Sequence, residues 1–373
     1  MKGVIQMKII LCGGGTSGHV NPALNIAKTI QARHPDAEIM FIGTKRGIES
    51  TLVPKFGYKI DFVEVSGFSR KLTLKNVKAA WHALTSVSEA KKIIKRFKPD
   101  LVIGTGGYVS WPTVKAASKL GIPTLIHEQN AFPGVTTKML SKYANKVCIS
   151  FAGSEKFFDE AVRDKLILTG NPVIIDGMSR TEARAKLGLS DTEPYILSYG
   201  GSMGADKINE LSFALMESLS VPQNIRHTHA IGRVGLEKFS ALAKEKGFYN
   251  CSNLSIDEYI YDMPVHQAAA DVIICRAGAM TLSELAIRGR AAVLIPSPYV
   301  TEDHQYKNAR LIADAGAAVV FRESEISTKL LSDTVSELLS NPNKRRRMEE
   351  SVKSFAMPDS VERIADEALA LLK

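Results

Sequence analysis

Apolar residues along this chain come in short unbroken runs, separated by stretches in which they recur every three to four positions. The runs of the first half are "KIILC", "EIMFIG", "DLVIGTGG", "PTLIHE" and "KVCIS". Those of the second are "PYILSYGG", "RHTHAIG", "DVIICRAG", "AAVLIPSP" and "GAAVVF". A run without polar alternation suits a strand covered on both faces, as in a parallel sheet between helices. The intervening "NPALNIAKTIQARH" and "TLSELAIRG" place their apolar positions on one helical face. Alternation of the two patterns predicts an α/β fold built from doubly wound parallel sheets.

The series starts twice, at position 8 and again at position 194 with "PYILSYGGSMGADKINE". Between them, "LTGNPVIIDGMSRTEARAKLGLSDTEP" has the Pro, Gly and Asp content of a connector. Two Rossmann-like domains follow, residues 1–170 and 171–357, with the boundary near Gly170–Val173. A length of 373 residues agrees, being more than one core usually holds. The last stretch, 358–373, contains "DSVERIADEALALLK", an amphipathic helix with Asp359 or Ser360 as its expected N-cap. Ligands of such sheets bind beyond the carboxyl ends of the strands, so the two domains are expected to face a cleft there.

Composition narrows the function only partly. The 45% hydrophobic content excludes wholesale disorder, and the net charge of +9 favours acidic partners: nucleic acid, anionic lipid or phosphorylated substrates. Cys12, Cys148, Cys251 and Cys275 stand far apart with no C-x-x-C, which points to reduced core thiols rather than zinc or redox chemistry. The N-terminal "MKGVIQMKIILCGGG" lacks the apolar core of a signal peptide. No apolar stretch reaches the ~18–20 residues that span a bilayer. The expectation is a protein that does not cross a membrane but can lie on one.

Three glycine loops follow apolar runs: Gly13–Gly18, Gly104–Gly107 ("GTGGY") and Gly200–Gly204 ("GGSMG"). Glycine admits close backbone approach, and free N–H groups at a helix start attract anions. The plain alternative is that these glycines only make tight turns. Gly13, Gly15 and Gly18 also satisfy G-x-G-x-x-G, the dinucleotide spacing. That reading wants an acid at the end of the second strand, where this chain has Gly43, Thr44, Lys45 and Arg46, a basic end that would suit only a 2′-phosphorylated dinucleotide. It also leaves His19 unexplained. An imidazole with an ordinary pKa near 6.5 suits removal of a proton from a hydroxyl, unless it merely bonds its own helix.

The second domain carries groups shaped for a nucleotide. "CRAGAMTLSELAIRG" sets Thr281 near a helix start and Glu284 one turn further on, where a carboxylate can accept from both ribose hydroxyls. The alternative is a solvated glutamate. Ser202 within "GGSMG" is placed for a diphosphate, and Asp303, His304 and Gln305 for sugar hydroxyls, unless Thr301 is simply a helix cap.

"GGGTSGHVNPAL", "GTGGYVSWP", "IHEQNAFPG", "GNPV", "GGSMGA", "CRAGAMTLSELAIRG" and "DHQYKNA" occur in this order from about residue 7 to the end. The ordered set resembles glycosyltransferase family 28, bacterial enzymes that add N-acetylglucosamine to the lipid-linked muramyl-pentapeptide of cell-wall synthesis. The resemblance implies a glycosyltransferase-B fold, with acceptor on the N-terminal domain, UDP-sugar on the C-terminal one, and the last helix packed back on the first domain. It implies Glu284 at the uridine ribose, Ser202 at the diphosphate, Met280 and Thr281 against the nucleotide, and Ile260 at the uracil edge. Asn130, Gln305 and His304 would contact the donor sugar. Gly14, Gly15, Thr16, Gly18 and Tyr108 would line the acceptor side, with His19 as general base. This chain has His304–Gln305 where many members have a Gln pair, and Ile174 where many have Arg, so Arg276 or Arg233 would supply the positive group.

The implied reaction is inverting transfer from UDP-N-acetylglucosamine to the 4-hydroxyl of undecaprenyl-diphosphate-linked muramyl-pentapeptide. The implied setting is the cytoplasmic face of the cell membrane, bound peripherally, among other cell-wall synthesis proteins. No D-x-D occurs, so no cofactor is expected beyond a Mg²⁺ held loosely on the diphosphate. Phe68, Leu72, Leu74, Val77 and Trp81, beside Arg70, Lys71, Lys75 and Lys78, suit an anionic bilayer surface, although a core-facing helix with a basic outer face would read the same way. "NKRRRMEE" reads as a solvated helix face, and no nucleic acid is expected as partner. The rival readings are another UDP-sugar enzyme of this fold, either a glycolipid transferase or a UDP-sugar epimerase, and more distantly a dinucleotide oxidoreductase.

Overall fold

The computed structural model describes residues 6–372 except 66–73, and for 74–84 the backbone alone. It divides into two compact units, Met1–Ile174 with Met357–Lys373, and Ile175–Ala356.

The first unit holds strands β1 (Lys8–Cys12), β2 (Glu38–Gly43), β3 (Lys59–Phe62), β4 (Leu101–Gly104), β5 (Thr124–Glu128), β6 (Lys146–Ile149) and β7 (Leu166–Leu168). They form one parallel sheet in the order β3-β2-β1-β4-β5-β6-β7. Its helices are α1 (Ser17–Arg33), α2 (Glu49–Lys55), α3 (Leu74–Phe97), α4 (Ser110–Lys119) and α5 (Val135–Ser141). The second unit contains α6 (Arg180–Lys186), β8 (Tyr195–Tyr199), α7 (Asp206–Leu215), β9 (Arg226–Ala230) and α8 (Leu236–Glu245). It continues through β10 (Leu254–Asp257), α9 (Met263–Ala269), β11 (Val272–Cys275), α10 (Ala279–Arg288) and β12 (Ala292–Leu294). Its last elements are α11 (His304–Ala313), β13 (Val319–Val320), α12 (Thr328–Ser340) and α13 (Pro342–Lys353). Its sheet runs β10-β9-β8-β11-β12-β13, again all parallel.

Both sheets have the doubly wound order, in which successive strands reverse direction of travel between the first and fourth strand of each unit. The central strands are buried on both faces: β4, β5, β8, β11 and β12 have no exposed residue. Three strands lie outside the predicted runs, "KIDF", "LIL" and "LSID", and all three lie at sheet edges; "LIL" is apolar but only three residues long, and the other two carry polar residues, which cost little at an edge.

The chain returns to the first unit in α14 (Ser360–Leu369). Ile364, Ala365 and Ala368 are buried in the same cluster as Val20, Ala23 and Ala27 of α1. Arg33 on α1 pairs with Glu362 and Asp366. Asp359 stands at the N-cap position but accepts no cap bond; its carboxylate bonds Arg363 at 2.7 Å, while the Ser360 hydroxyl donates to the Asn171 carbonyl. Cys12, Cys148 and Cys275 are buried free thiols, each pushed up to about 12 by desolvation. No helix among the described residues is long and apolar enough to cross a membrane.

Candidate active site

In an open parallel sheet the loops after the first and fourth strands part at the point where the winding reverses, leaving room for a ligand. In the first unit these loops carry Gly13–Thr16 and Thr105–Val109. Their backbones nearly touch: a Cβ on Gly107 would stand 2.2 Å from the Gly14 carbonyl oxygen, and one on Gly13 2.1 Å from Thr105 Oγ1. Two of the N–H groups of the first loop are already used. Gly15 N–H donates to the buried Glu49 carboxylate at 2.9 Å, and Gly14 N–H to the Gly106 carbonyl at 3.4 Å. Donors for an anion therefore shift to Ser17 and Gly18 in the first turn of α1, which have no acceptor within the helix. Gly13 and Gly14 serve close packing.

Glu49 is the acid that the dinucleotide spacing lacked in sequence. It lies six residues past β2, on α2, is 1% exposed, and also accepts from Thr44 N and Thr44 Oγ1 at 2.9 and 2.7 Å. With its oxygens committed to backbone and Thr44, it is a brace for the loop rather than a ribose ligand.

His19 sits in the first turn of α1, half-buried, and does not bond its own helix. Its Nδ1 stands 3.1 Å from both the Thr105 carbonyl and Gln129 Oε1. Gly106, at φ +105°, leaves the space that the ring fills, since a Cβ there would lie 2.6 Å from Nδ1. Thr16 precedes the helix with its side chain exposed and not used as a cap, and Tyr108 is 56% exposed. Asn130 follows β5 and donates through Nδ2 to Glu128 Oε1 at 3.0 Å.

In the second unit the reversal lies between the loops after β8 and β11. The "GGSMG" loop locks against the loop after β9: Arg233 N–H donates to Ser202 O at 3.3 Å and Val234 N–H to Met203 O at 3.0 Å. Gly204 and Gly232 both take positive φ and meet at their backbones. Ser202 is left exposed at the tip, with Arg233, also exposed, beside it. Arg276 instead bonds the Ile295 carbonyl and ion-pairs with Glu323, so its charge is already matched.

Met280 and Thr281 occupy the first turn of α10, and Glu284 follows one turn later. Gln267 on α9 holds Glu284, donating Nε2 to Oε2 at 3.0 Å and standing 3.1 Å from the Tyr199 hydroxyl. Burial raises the Glu284 pKa. Ile260 is 5% exposed and packed in the core with Tyr199 and Ala230. Thr301 begins a short 3-10 turn and caps nothing by its side chain. Glu302 and Asp303 take φ of +55° and +54°, a conformation that costs non-glycine residues energy and clusters at ligand sites. Beyond them Gln305 Oε1 accepts Ser297 N–H at 2.9 Å, and His304 Nδ1 donates to Thr301 O at 2.9 Å.

Residues 9–149 match the Glycosyltransferase family 28 N-terminal domain and residues 195–364 its C-terminal domain. The chain belongs to glycosyltransferase family 28. As a family 28 chain it has the two-domain glycosyltransferase-B fold, and the dinucleotide oxidoreductase reading falls away. A relative from Acetivibrio thermocellus, named UDP-N-acetylglucosamine–N-acetylmuramyl-(pentapeptide) pyrophosphoryl-undecaprenol N-acetylglucosamine transferase, is 44% identical over 96% of both chains. The crystal structure of MurG from Acinetobacter baumannii aligns with a TM-score of 0.77 at 31% identity, covering 98% of this chain and 99% of that one. A UDP-GlcNAc 2-epimerase from Neisseria meningitidis aligns over 98% of this chain and all of its own with a TM-score of 0.67, but at 15% identity it shares the fold alone.

Sequence reasoning did not single out Glu49, Gln129 and Gln267, which contact the candidate residues Gly15, His19 and Glu284 respectively. Gln129 stood in plain view within "HEQN" but carried no spacing signal, and the other two meet the site only through the fold. The basic apolar patch lies outside the description: Phe68, Arg70, Lys71 and Leu72 are not described, nor are the side chains of Leu74, Lys75, Val77, Lys78 and Trp81.

Proposed function

We propose that the protein transfers N-acetylglucosamine from UDP-N-acetylglucosamine to the 4-hydroxyl of undecaprenyl-diphosphate-linked N-acetylmuramyl-pentapeptide, with inversion, in peptidoglycan synthesis. The observation that carries this reading is 44% identity, along nearly the whole length, to a relative named for that reaction.

The residue roles are those the family resemblance implies. Glu284 accepts from the uridine ribose hydroxyls, with Met280 and Thr281 around the nucleotide and Ile260 at the uracil edge. Ser202 and the start of α7 meet the diphosphate, with Arg233 as the adjacent cation. Asn130, His304 and Gln305 read the sugar. Thr16, Gly18 and Tyr108 line the acceptor side. The acceptor hydroxyl attacks the anomeric carbon, its proton passes to His19 Nε2, and the bond to UDP breaks with the electron pair leaving on the diphosphate. Preorganised dipoles stabilise that departing charge, so no resident cofactor is required beyond a Mg²⁺ held loosely on the diphosphate. The lipid acceptor brings the enzyme to the cytoplasmic membrane surface as a peripheral protein.

Incubation with radiolabelled UDP-N-acetylglucosamine and the lipid acceptor should yield butanol-extractable product. Donor consumption without acceptor would support a sugar-nucleotide epimerase, and a folded protein yielding neither product would overturn both. His19→Ala should lower kcat by about 10²–10⁴ with donor affinity unchanged.

A further inference from the structure

The structure assigns Gln129 as a positioning residue that, with the Thr105 carbonyl, holds His19 in the tautomer whose Nε2 is bare. The inference rests on the proposed role of His19 as base and adds how the chain sets its proton. Gln129 is 3% exposed at the end of β5. One end of its amide lies 2.9 Å from the Thr105 carbonyl oxygen, which only accepts, so that end is the NH₂ group. Turning the amide over would press two oxygens together. The other end, Oε1, therefore faces His19 Nδ1 at 3.1 Å, where the Thr105 carbonyl is also 3.1 Å away. Both neighbours of Nδ1 are acceptors, so Nδ1 carries the hydrogen. Nε2 then keeps the lone pair that general-base catalysis requires.

The second amide hydrogen of Gln129 has a partner that fixes the arrangement further. Gln129 Nε2 lies 2.9 Å from His127 Nδ1, and His127 Nε2 lies 2.9 Å from the Gly170 carbonyl. That carbonyl only accepts, so His127 donates from Nε2 and accepts at Nδ1. Burial lowers the His127 pKa to about 4, which keeps it neutral and able to accept across the working range. The chain from Gly170 through His127 and Gln129 to His19 thus reads in one direction only. A mis-set tautomer at a catalytic histidine costs about 10⁴ in kcat in a serine-protease triad, which sets the scale for the effect.

The other titratable groups around His19 are accounted for. Cys12 at the end of β1 is a buried neutral thiol. The Glu49 carboxylate is bound to Gly15 and Thr44, and that of Glu128 to Asn130 and Gly134. Tyr108 is exposed on the loop after β4. A carboxylate substituted at position 129 would be a new charge beside Nδ1.

The test uses the full-length protein with ¹⁵N-labelled histidine. Wild type should show His19 protonated at Nδ1 and bare at Nε2. Gln129→Met should let both tautomers populate and lower kcat at least tenfold at every pH, with KM for UDP-N-acetylglucosamine unchanged. Gln129→Glu should raise the acid limb of the kcat/KM profile by about one pH unit or more, activity recovering at higher pH. An Nε2–H tautomer in wild type, or a folded Gln129→Glu variant with an unmoved acid limb, would overturn the assignment. The tautomer measurement needs no turnover. Full activity of His19→Ala would remove His19 as base while the histidine spectrum still judged the role of Gln129.

Discussion

The Glu49 carboxylate accepts the Gly15 N–H at 2.9 Å, so an acid from α2 braces a loop whose spacing suggested a phosphate cradle. Glu49 satisfies three donors at once, Gly15 N, Thr44 N and Thr44 Oγ1. Glu49→Ala would leave all three without a partner in a dry site, where each orphaned donor costs about 1–3 kcal/mol. Urea unfolding should show a loss of about 3 kcal/mol or more. Glu49→Gln, which keeps two of the contacts, should lose roughly half as much. KM for the lipid acceptor should rise in both variants, and UDP affinity should not change.

Glu284 is held by Gln267 in a site whose burial raises its pKa above that of a free glutamate. An acid with a raised folded pKa binds more protons when folded, so its burden on stability grows as pH rises from the unfolded value through the folded one. At pH 7 Glu284→Gln should therefore unfold at a slightly higher temperature than wild type. It should also bind UDP about 10–100-fold more weakly by calorimetry, having lost a charged acceptor. Wild-type UDP affinity should fall on acidification, beginning above pH 4.5 as the raised carboxyl protonates.

Gly106 combines φ +105° with a Cβ direction that ends 2.6 Å from His19 Nδ1. Gly106→Ala must either twist the loop or push the imidazole aside. An error of about 1 Å at a reacting group costs on the order of 10²-fold in rate. Steady-state kinetics should show kcat down by about that factor with donor KM unchanged, alongside a stability loss of about 1–3 kcal/mol from the strained backbone.

His227 and His229 lie wholly buried around Ser198, and His127 is buried in the first unit. Burial lowers all three, His127 to about 4 and His229 to about 3. A base with a depressed folded pKa binds fewer protons when folded. Its contribution is complete above the free value of 6.5 and is lost as pH falls from there toward the folded value. Chemical denaturation should show stability flat above about pH 6.5 and falling below it, by about 1.4 kcal/mol per pH unit for each histidine engaged. His127→Asn and His229→Asn variants that fold should have shallower acid limbs.

Much of the architecture was legible because burial on both faces leaves a signature that one strand carries alone. Ten strand-like runs correspond to β1, β2, β4, β5, β6, β8, β9, β11, β12 and β13, most of them dominated by apolar residues and β9 largely polar. The three strands without a predicted run, β3, β7 and β10, all lie at sheet edges, although the fourth edge strand, β13, kept its run. Glu284 and Ser202 could be singled out as candidates because closeness to a helix start is local in sequence.

Sequence by itself determined the class of fold and its doubling, since strand burial and helix starts are written within a few neighbouring positions. Only the tertiary structure decided what the candidate residues are bonded to. Glu49 reaches Gly15 across 34 positions, and His19 finds Gln129 across 110, because parallel sheets bring the ends of distant strands side by side. A hydrogen bond depends on that spatial adjacency and on which partner can donate, so the proton on His19 could not be assigned from spacing.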